Sequence, residues 1–299
     1  MRETLYKHLL VVNLINMFTP KWGSSTSIYF TTSNGVRQGG ILSPRLFSLY
    51  IDYLSTLLHD LKVGCYIDST CMNHYFYADD MCLLSPSAIG LQQLINVCTE
   101  YGIEHDIMFN PIKSKCMAIL PNRYKLSIPT VSLNGDDLVY TDSIKYLGVI
   151  LNNTFKDDAD IMRQLRCLYA SSNILLRKFS YCSLPVKLQL VESFCLNFYC
   201  STLWCDYRKQ SLSKIRVAYN NIFRMLLGFS RRDSASKMFA ENRIDGFEAR
   251  IRKSCFKFRQ RTLRCENNVI YSVNCNTWVL SNYMWRRWTL LLYKGATIL

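Results

Sequence analysis

Hydrophobic and polar positions change their period near the middle of the chain. Before about residue 151, short strand-like runs alternate with one clear helix, in "SAIGLQQLINVCTEYG", where Gly102 predicts the C-terminal end. The apolar face of this helix comprises Leu91, Leu94, Ile95, Cys98 and Tyr101. In "VSLNGDDLVY", Asn134 and Gly135 separate two β-prone runs and predict a type I′ hairpin turn. This half therefore mixes helices and strands.

After residue 151 the pattern becomes helical. One stripe collects apolar side chains four or three residues apart: Ile161, Leu165, Leu168, Leu175, Leu176 and Phe179. Arg163, Arg166 and Arg177 fall within about 60° of one another on the opposite side, which predicts a basic helical face. No low-complexity linker marks the boundary, so its position between residues 151 and 156 depends on charge and periodicity alone.

The net charge of +14 is concentrated in the second half. Residues 1–150 carry 11 Lys and Arg against 12 Asp and Glu, a net charge of −1, whereas residues 151–299 carry 25 against 10, a net charge of +15. Such asymmetry favours a polyanionic partner, of which nucleic acid is the commonest. A basic face that only increases solubility is the alternative.

Composition excludes several classes of protein. The 13 cysteines include no Cys-x-x-Cys pair and the chain has four histidines, which argues against a zinc site or a disulfide scaffold and predicts reduced, mostly buried thiols. No apolar run reaches the length of a membrane span, and "MRETLYKHLLVVNLI" lacks the small-residue cleavage pattern of a secretion signal. We therefore expect an intracellular protein, in the nucleus or the cytoplasm, without a membrane partner.

Two adjacent aspartates, Asp79 and Asp80, interrupt the apolar runs of "HYFYADDMCLL". The flanking runs predict the interior of a sheet, where unpaired charge is costly. Their spacing fits a tight hairpin, but Asp-Asp is a poor turn pair because neither residue accepts positive φ as glycine does. Carboxylates about 4 Å apart repel by about 4 kcal/mol at an effective dielectric near 20, and a divalent ion such as Mg²⁺ is the simplest compensation. A solvated surface turn is the alternative.

Three further blocks surround this pair in a fixed order. Upstream, "GVRQGGILSP" places Arg37, Gln38, Gly39 and Gly40 before an apolar helix that begins near Pro44; downstream follow "FNPIKSK" and "YLG". With "YADD", these blocks resemble the reverse transcriptase of non-LTR (LINE-type) retrotransposons. The resemblance extends from about Trp22 to about Phe239, and residues 34–148 carry its motifs.

The resemblance implies roles for the matching positions. Asp79 would bind the catalytic metal, Mg²⁺ or Mn²⁺, with Asp80 beside it, and Lys113 would protonate the pyrophosphate leaving group. The nucleotide and the template would contact Arg37, Gln38, Gly39 and Gly40, while the primer end would be held by Tyr146, Leu147 and Gly148. Arg163, Arg166 and Arg177 would bind nucleic acid, and the partners would be an RNA template, a DNA primer and deoxynucleoside triphosphates.

Each motif also has a plainer interpretation. Gln38 and its neighbouring glycines would make a polar turn between a strand and a helix, and Lys113 would be a solvated lysine like Lys115. Tyr146, Leu147 and Gly148 in isolation would be a strand with a bulge glycine. The whole string "GVRQGGILSP" favours the nucleotide-binding interpretation of Gln38, whereas only its order after the other blocks favours a functional role for "YLG".

The sequence departs from the family before "GVRQGG". Two-metal phosphoryl transfer uses carboxylates that hold two ions about 3.5 to 4 Å apart. The family places a further metal-binding aspartate on a strand well upstream, whereas Glu3 is the sole acidic residue among the first 33 here. We therefore expect an N-terminally truncated copy that is inactive by itself.

The expected fold class is α+β. Residues 1–151 should form a partial right-hand polymerase palm, an antiparallel sheet with helices, and residues 152–299 a basic helical thumb and connection. Three functions remain open at this point: an RNA-directed DNA polymerase domain, a non-catalytic remnant that binds nucleic acid, and a fragment whose exposed strand edges prevent stable folding.

Overall fold

The computed structural model describes residues 16–32, 39–120 and 127–276, together with 285, 286, 288 and 289. These residues pack into two compact units. The first contains the described residues of Met1–Ser114 and Ile128–Leu138, and the second those of Lys115–Ser127 and Val139–Leu299. Both helices and small antiparallel sheets are present, which confirms the predicted mixture of α and β structure.

The described strands of the first unit form two-stranded antiparallel pairs rather than one continuous sheet. The pairs are β1 (Asn16–Phe18) with β4 (Phe30–Thr32), β2 (Lys21–Trp22) with β3 (Ser25–Thr26), β5 (Cys65–Ile67) with β6 (Thr70–Met72), β7 (His74–Tyr77) with β8 (Asp80–Leu83), and β9 (Ser132–Leu133) with β10 (Asp136–Asp137). The β9–β10 turn confirms the predicted type I′ hairpin, because both Asn134 (φ +53°) and Gly135 (φ +87°) have positive φ.

Two helices provide the main buried cluster among the described residues of the first unit. Helix α1 (Ser43–Asp60) carries Pro44 in its first turn, as predicted, and α2 (Ala88–Glu104) begins at Ser87, whose hydroxyl accepts the amide hydrogen of Gly90. Their facing stripes bury Ile51, Leu54, Leu58, Leu94, Cys98 and Tyr101 as one cluster. The predicted apolar face of α2 is therefore confirmed, although Leu91 is only partly buried.

Gly102 does not end α2, so the predicted C-terminal stop is wrong. The helix continues to Glu104, and Gly102 is buried within it. A Cβ atom added at this position would lie 2.5 Å from the carbonyl oxygen of Ile107. The glycine therefore permits a close approach of the following loop, whose Ile107 amide donates to the Gly102 carbonyl at 2.8 Å.

The described residues of the second unit form a helical assembly with one hairpin. The hairpin pairs β11 (Ser143–Tyr146) with β12 (Val149–Asn152). The helices are α3 (Asp158–Lys178), α4 (Leu184–Phe194), a 3₁₀ turn (Ser201–Leu203), α5 (Lys209–Leu227), α6 (Ala235–Glu241), α7 (Phe247–Leu263) and α8 (Asn268–Cys275). Ile161, Leu165, Leu168 and Leu175 of the predicted stripe are buried in its core, and Phe179 packs against it.

The structure tests the predicted burial of the cysteines. All 13 lie within the described residues, and none of them forms a disulfide there. Four of them are buried, namely Cys98, Cys116, Cys195 and Cys255, so the prediction of mostly buried thiols is wrong for the remaining nine, which are partly or fully exposed. Burial raises the pKa of Cys98 to about 12, which keeps this thiol protonated and unreactive at neutral pH. Within the described ranges, no helix is long and apolar enough to cross a membrane.

Candidate active site

The aspartate pair lies at the tip of the β7–β8 hairpin. The strands pair His74 with Leu83, Tyr75 with Cys82, Phe76 with Met81 and Tyr77 with Asp80. Phe76, Met81 and Leu83 pack against the cluster between α1 and α2. Since side chains alternate along a strand, this packing fixes which face of the hairpin is buried and leaves its tip in solvent.

The two turn residues are Ala78 and Asp79, one position earlier than the Asp79–Asp80 pair that the flanking runs suggest. Asp80 is already the first residue of β8 and pairs with Tyr77. Ala78 adopts the left-handed conformation, with φ of +52°. This conformation costs an L-residue about 1–2 kcal/mol. The hairpin therefore holds Asp79 beside a strained residue, and strained backbone of this kind is common at functional sites.

Asp79 and Asp80 are both exposed, as are Tyr77 and Ala78. The prediction that the pair lies in a sheet interior is wrong, because the apolar runs that flank it bury the hairpin's base and not its tip. In solvent, the mutual repulsion of the carboxylates is weak and does not by itself require a cation.

The pair nonetheless fits a hard divalent ion. Carboxylate oxygens are the ligands that Mg²⁺ takes from proteins, and one or two carboxylates are usual when substrate phosphates complete the coordination sphere. In the part of the chain that the structure describes, no group of three or more His, Cys, Asp or Glu side chains could enclose a metal. Asp79 and Asp80 would therefore form an open site rather than a cage.

A hydrogen-bonded chain supports the base of this hairpin. Asn73 is buried, and its amide nitrogen donates to the carbonyls of Leu58 (2.6 Å) and Val63 (2.9 Å). Its Oδ1 must then accept from His74 Nδ1 at 2.7 Å, so His74 Nε2 accepts from Ser55 Oγ at 2.7 Å. Burial, and secondarily His59, lowers the pKa of His74, consistent with this neutral tautomer.

Sequence patterns did not single out this chain of contacts. Ser55 lies in α1 and His74 at the start of β7. These hydrogen bonds therefore connect strand β7 to helix α1. The contacts join residues 19 positions apart, and no local periodicity specifies them. The available signal was the two polar residues of "NHYFY", which interrupt an otherwise apolar stretch before the aspartates.

The predicted nucleotide-binding turn is described only in part. Arg37 and Gln38 lie outside the described residues, whereas Gly39 and Gly40 lie just before α1. Gly39 has a φ of +79°, and the Gly40 carbonyl accepts the amide hydrogen of Ser43 at 3.2 Å. A positive φ at Gly39 explains why this turn uses glycine.

Lys113 lies in an exposed turn of the first unit, where its amide donates to Asn110 Oδ1 at 3.1 Å. The Ser114 hydroxyl donates to the Asn110 carbonyl at 2.8 Å, so Asn110 organises the "FNPIKS" turn. This geometry leaves the Lys113 side chain in solvent, free to reach an anionic substrate. It equally satisfies the plainer interpretation of a solvated lysine.

Tyr146, Leu147 and Gly148 form the end of β11 and the turn to β12, in the second unit. Leu147 (φ +46°) and Gly148 (φ +80°) are the two turn residues, with Tyr146 paired to Val149. Positive φ at both positions gives a tight hairpin rather than the bulge that the plainer interpretation suggests. The β11–β12 hairpin belongs to the second unit, together with the residues that follow it. The domain boundary at residue 151 stays a prediction.

The three arginines of α3 have different environments. Arg166 and Arg177 are exposed. Arg163 is largely buried, with 18% of its side chain exposed, and its Nε donates to Asp160 Oδ1 at 2.6 Å. Arg163 therefore has a structural ion pair, and only Arg166 and Arg177 present free guanidinium groups on this helix for a nucleic acid.

Asp160 is a polar residue that sequence reasoning missed. It is 1% exposed and accepts three hydrogen bonds, from the Ile150 amide (3.1 Å), from Arg163 Nε (2.6 Å) and from Trp204 Nε1 (2.8 Å). It therefore joins β12, α3 and the segment after the 3₁₀ turn. The "DDAD" run at the start of α3 was the available signal, since its aspartates are acidic residues in a first helical turn.

Comparison with known proteins identifies the family of the first half. Residues 5–151 match the family described as reverse transcriptase (RNA-dependent DNA polymerase). The RNA-directed DNA polymerase from mobile element jockey of Drosophila funebris is 24% identical over 80% of this chain and 26% of its own length. The probable RNA-directed DNA polymerase from transposon X-element of Drosophila melanogaster is 25% identical over 86% of this chain and 28% of its own length.

A third relative comes from a different group of elements. The Pol polyprotein from the type-1 retrotransposable element R2 of Popillia japonica is 28% identical over 44% of this chain and 23% of its own length. The chain thus spans about a quarter of the length of these curated relatives. Together with the order of "GVRQGG", "YADD", "FNPIKSK" and "YLG", these matches show that residues 5–151 carry a reverse transcriptase domain of the kind found in non-LTR retrotransposons.

Proposed function

We propose that this chain is the polymerase portion of a non-LTR retrotransposon protein and acts in RNA-directed DNA synthesis. The observation that carries the proposal is the β7–β8 hairpin, which exposes two consecutive aspartates, Asp79 and Asp80, at its tip. An exposed pair can receive a metal-bound triphosphate and a primer end. A buried pair could not do so without opening the fold.

The proposed reaction is two-metal nucleotidyl transfer with Mg²⁺ or Mn²⁺. Bound at Asp79 and Asp80, the ions would activate the primer 3′-oxygen and neutralise charge on the triphosphate. Among the chain's own groups, the exposed Lys113 would donate a proton to the pyrophosphate, and the Gly39–Gly40 turn would let a nucleotide approach the backbone. The partners would be an RNA template, a DNA primer and deoxynucleoside triphosphates.

The metal site can be tested apart from catalysis. Mn²⁺ added to the chain should broaden NMR resonances near the hairpin tip, and replacing both Asp79 and Asp80 by Ala should remove this effect. Asp136 and Asp137 form a matched control, because they are also adjacent exposed aspartates in a hairpin of the same unit. A site at Asp79 and Asp80 would be contradicted if both double variants kept the broadening to the same extent, or if both lost it.

Primer extension tests the reaction itself. The sequence-based prediction is that residues 1–299 alone extend no primer above background, and that fusion to the upstream segment of an intact related element restores extension. Asp79→Ala should then abolish it, whereas Asp136→Ala should not. Extension by the unfused chain that Asp79→Ala abolishes would support the polymerase and overturn the predicted inactivity. A fused chain that folds and binds primer-template but never extends it would overturn the polymerase.

The second candidate function is nucleic-acid binding without catalysis. The net charge of +15 in residues 151–299 favours it, and so do the exposed Arg166 and Arg177. Binding to an RNA–DNA duplex should weaken steeply with salt, and replacing both arginines by Gln should reduce the slope by about 2. Arg163 is left unchanged because its ion pair with Asp160 supports the fold. If binding does not depend on the salt concentration, we would conclude that the basic half only increases solubility.

A further inference from the structure

The C-terminal half of α7 presents an aromatic ring among unpaired cations. Phe256, Lys257, Gln260, Arg261 and Arg264 lie on one face of the helix and its C-terminal extension, where they line an open depression of about 780 Å³. Phe256 is 52% exposed, and the three cations are exposed as well. We call these five side chains the α7 surface.

Two cations near the start of α7 have carboxylate partners, whereas the three cations of the α7 surface have none among the described residues. Near the start of the helix, Arg250 pairs with Glu192 at 2.8 Å and Lys253 with Asp245 at 2.5 Å. Within the described ranges, no carboxylate pairs with Lys257, Arg261 or Arg264. The fold thus neutralises Arg250 and Lys253 internally, while Lys257, Arg261 and Arg264, like the exposed Arg252, are available to an external anion.

Packing holds the α7 surface in place. Phe247, Ile251 and Cys255 are buried on the opposite side of the helix, which fixes its rotation about its own axis. The Arg261 guanidinium lies 5.7 Å from the centre of the Phe258 ring, a cation–π contact that orients the side chain. The surface is therefore largely preorganised.

Helix stability alone accounts for only part of this arrangement. Cations in a last turn are favoured by the helix dipole, which suits Arg261 and Arg264. However, Lys257 and Arg261 are four residues apart and Arg261 and Arg264 three apart, spacings at which like charges repel. Neither effect explains a phenylalanine that is half exposed at the N-terminal edge of these charges. A bound polyanion with planar groups would satisfy both the charges and the ring.

We infer that the α7 surface binds a single-stranded segment of nucleic acid, with phosphates on Lys257, Arg261 and Arg264 and one unpaired base stacked on Phe256. The eight helical steps from Phe256 to Arg264 rise about 12 Å, the length of a few nucleotides. An aromatic ring can stack on a base only where the base is unpaired, which favours a single strand over a duplex. This inference rests on the proposed nucleic-acid-binding role and assigns it a definite place.

The experiment measures binding of the full chain to labelled single strands of about 12 nucleotides. DNA and RNA strands with bases are compared with a DNA strand of abasic sites, which keeps the phosphates and removes stacking. The variants are Phe256→Leu, Phe256→Trp and the triple change of Lys257, Arg261 and Arg264 to Gln. A triple control replaces Lys209, Lys214 and Arg231 by Gln, since these cations are equally exposed in the same unit. Circular dichroism verifies that each variant folds.

Two results are expected. Phe256→Leu should weaken binding to base-containing strands about fivefold or more and leave abasic binding unchanged, while Phe256→Trp restores affinity. The α7 triple variant should lower the salt slope by about 2, since each phosphate contact on a single strand contributes about 0.7, and by more than the triple control does.

Other outcomes would overturn the inference. It fails if Phe256→Leu weakens binding to both kinds of strand equally, or if the two triple variants have the same salt slope. It also fails if the chain prefers a blunt duplex and Phe256→Leu has no effect. In these cases the chain still binds nucleic acid, so the proposed function survives. If the unaltered chain binds neither strands nor duplex, the proposed binding role fails together with the inference.

Discussion

The two units bury their apolar side chains to very different extents. Among the described residues, the cluster between α1 and α2 in the first unit contains six buried side chains, whereas the core of the second contains 21. The first unit leaves four large apolar side chains more than 90% exposed, namely Trp22, Ile41, Met108 and Ile112, and none of those described in the second reaches that value. The described strands of both units occur only in pairs, so this feature does not distinguish them.

The candidate catalytic groups and the larger hydrophobic core lie in different units. The candidate catalytic groups Asp79, Asp80 and Lys113 lie on turns of the unit with the smaller core, where little packing depends on them. The second unit has a large core and most of the positive charge, and it contains a buried polar centre at Asp160. Substitutions of the candidate catalytic groups should therefore affect activity more than stability, whereas substitution of Asp160 should affect stability.

The largest expected effect comes from removing the polar centre of the second unit. Asp160→Ala leaves the Trp204 indole N–H and the largely buried Arg163 guanidinium without their acceptor. Breaking a buried ion pair from one side costs about 3–5 kcal/mol of unfolding free energy. Urea unfolding followed by tryptophan fluorescence measures this loss, because four of the five tryptophans follow residue 200.

Asp206→Ala is the matched control for this substitution. Asp206 also pairs with a cation, Lys156, at 2.6 Å, but 43% of its side chain is exposed. Exposed pairs contribute only about 0.2–1 kcal/mol. Equal losses in the two variants would show that the second unit does not depend on its buried polar centre, and the contrast between the units would then weaken.

Sequence patterns predicted the local structure of both units better than their long-range contacts. Asn134 and Gly135 specify a type I′ turn because few other residues accept positive φ twice, and the faces of α2 and α3 follow from apolar spacing. By contrast, Asp160 meets Trp204 across 44 residues, which no local pattern encodes.

The candidate site shows the same limit. The four motifs located Asp79 and Asp80 in a hairpin, but the turn shifted by one residue because Ala78 adopts a conformation that alanine propensity disfavours. Burial of the hairpin was also misjudged, since apolar runs mark the strands and do not show where the tip projects. The ion pair that withdraws Arg163 from the basic face depends on a neighbour three residues away that was not considered.

A second prediction concerns the pH dependence of the first unit. Burial lowers the pKa of His74 below its ordinary value of 6.5, so the unfolded chain binds a proton at this residue more readily than the folded one. The free energy of unfolding should therefore decrease as the pH falls from about 6.5 to the pKa of His74 in the folded state. Protonation would also place a hydrogen on Nε2, which now accepts from Ser55.

Urea unfolding followed by far-ultraviolet circular dichroism between about pH 5 and 7.5 measures this dependence. His74→Gln should flatten it. His59→Gln should preserve most of it, because burial contributes more to the His74 shift than His59 does. If the free energy of unfolding decreases equally at low pH in the parent chain and in His74→Gln, His74 does not link the hairpin to α1.

The smallest expected effect tests the strained turn of the candidate site. Ala78 has a φ of +52°, which glycine adopts without steric cost. Ala78→Gly should therefore stabilise the first unit by about 1 kcal/mol, and Ala78→Val should destabilise it, because a β-branched side chain fits this conformation still less well. Hydrogen exchange of the β7 and β8 amides reports the local change, and Asp79 stays intact in both variants. Faster exchange in Ala78→Gly than in the parent chain would mean that Ala78 is not strained and that the tip is held by other contacts.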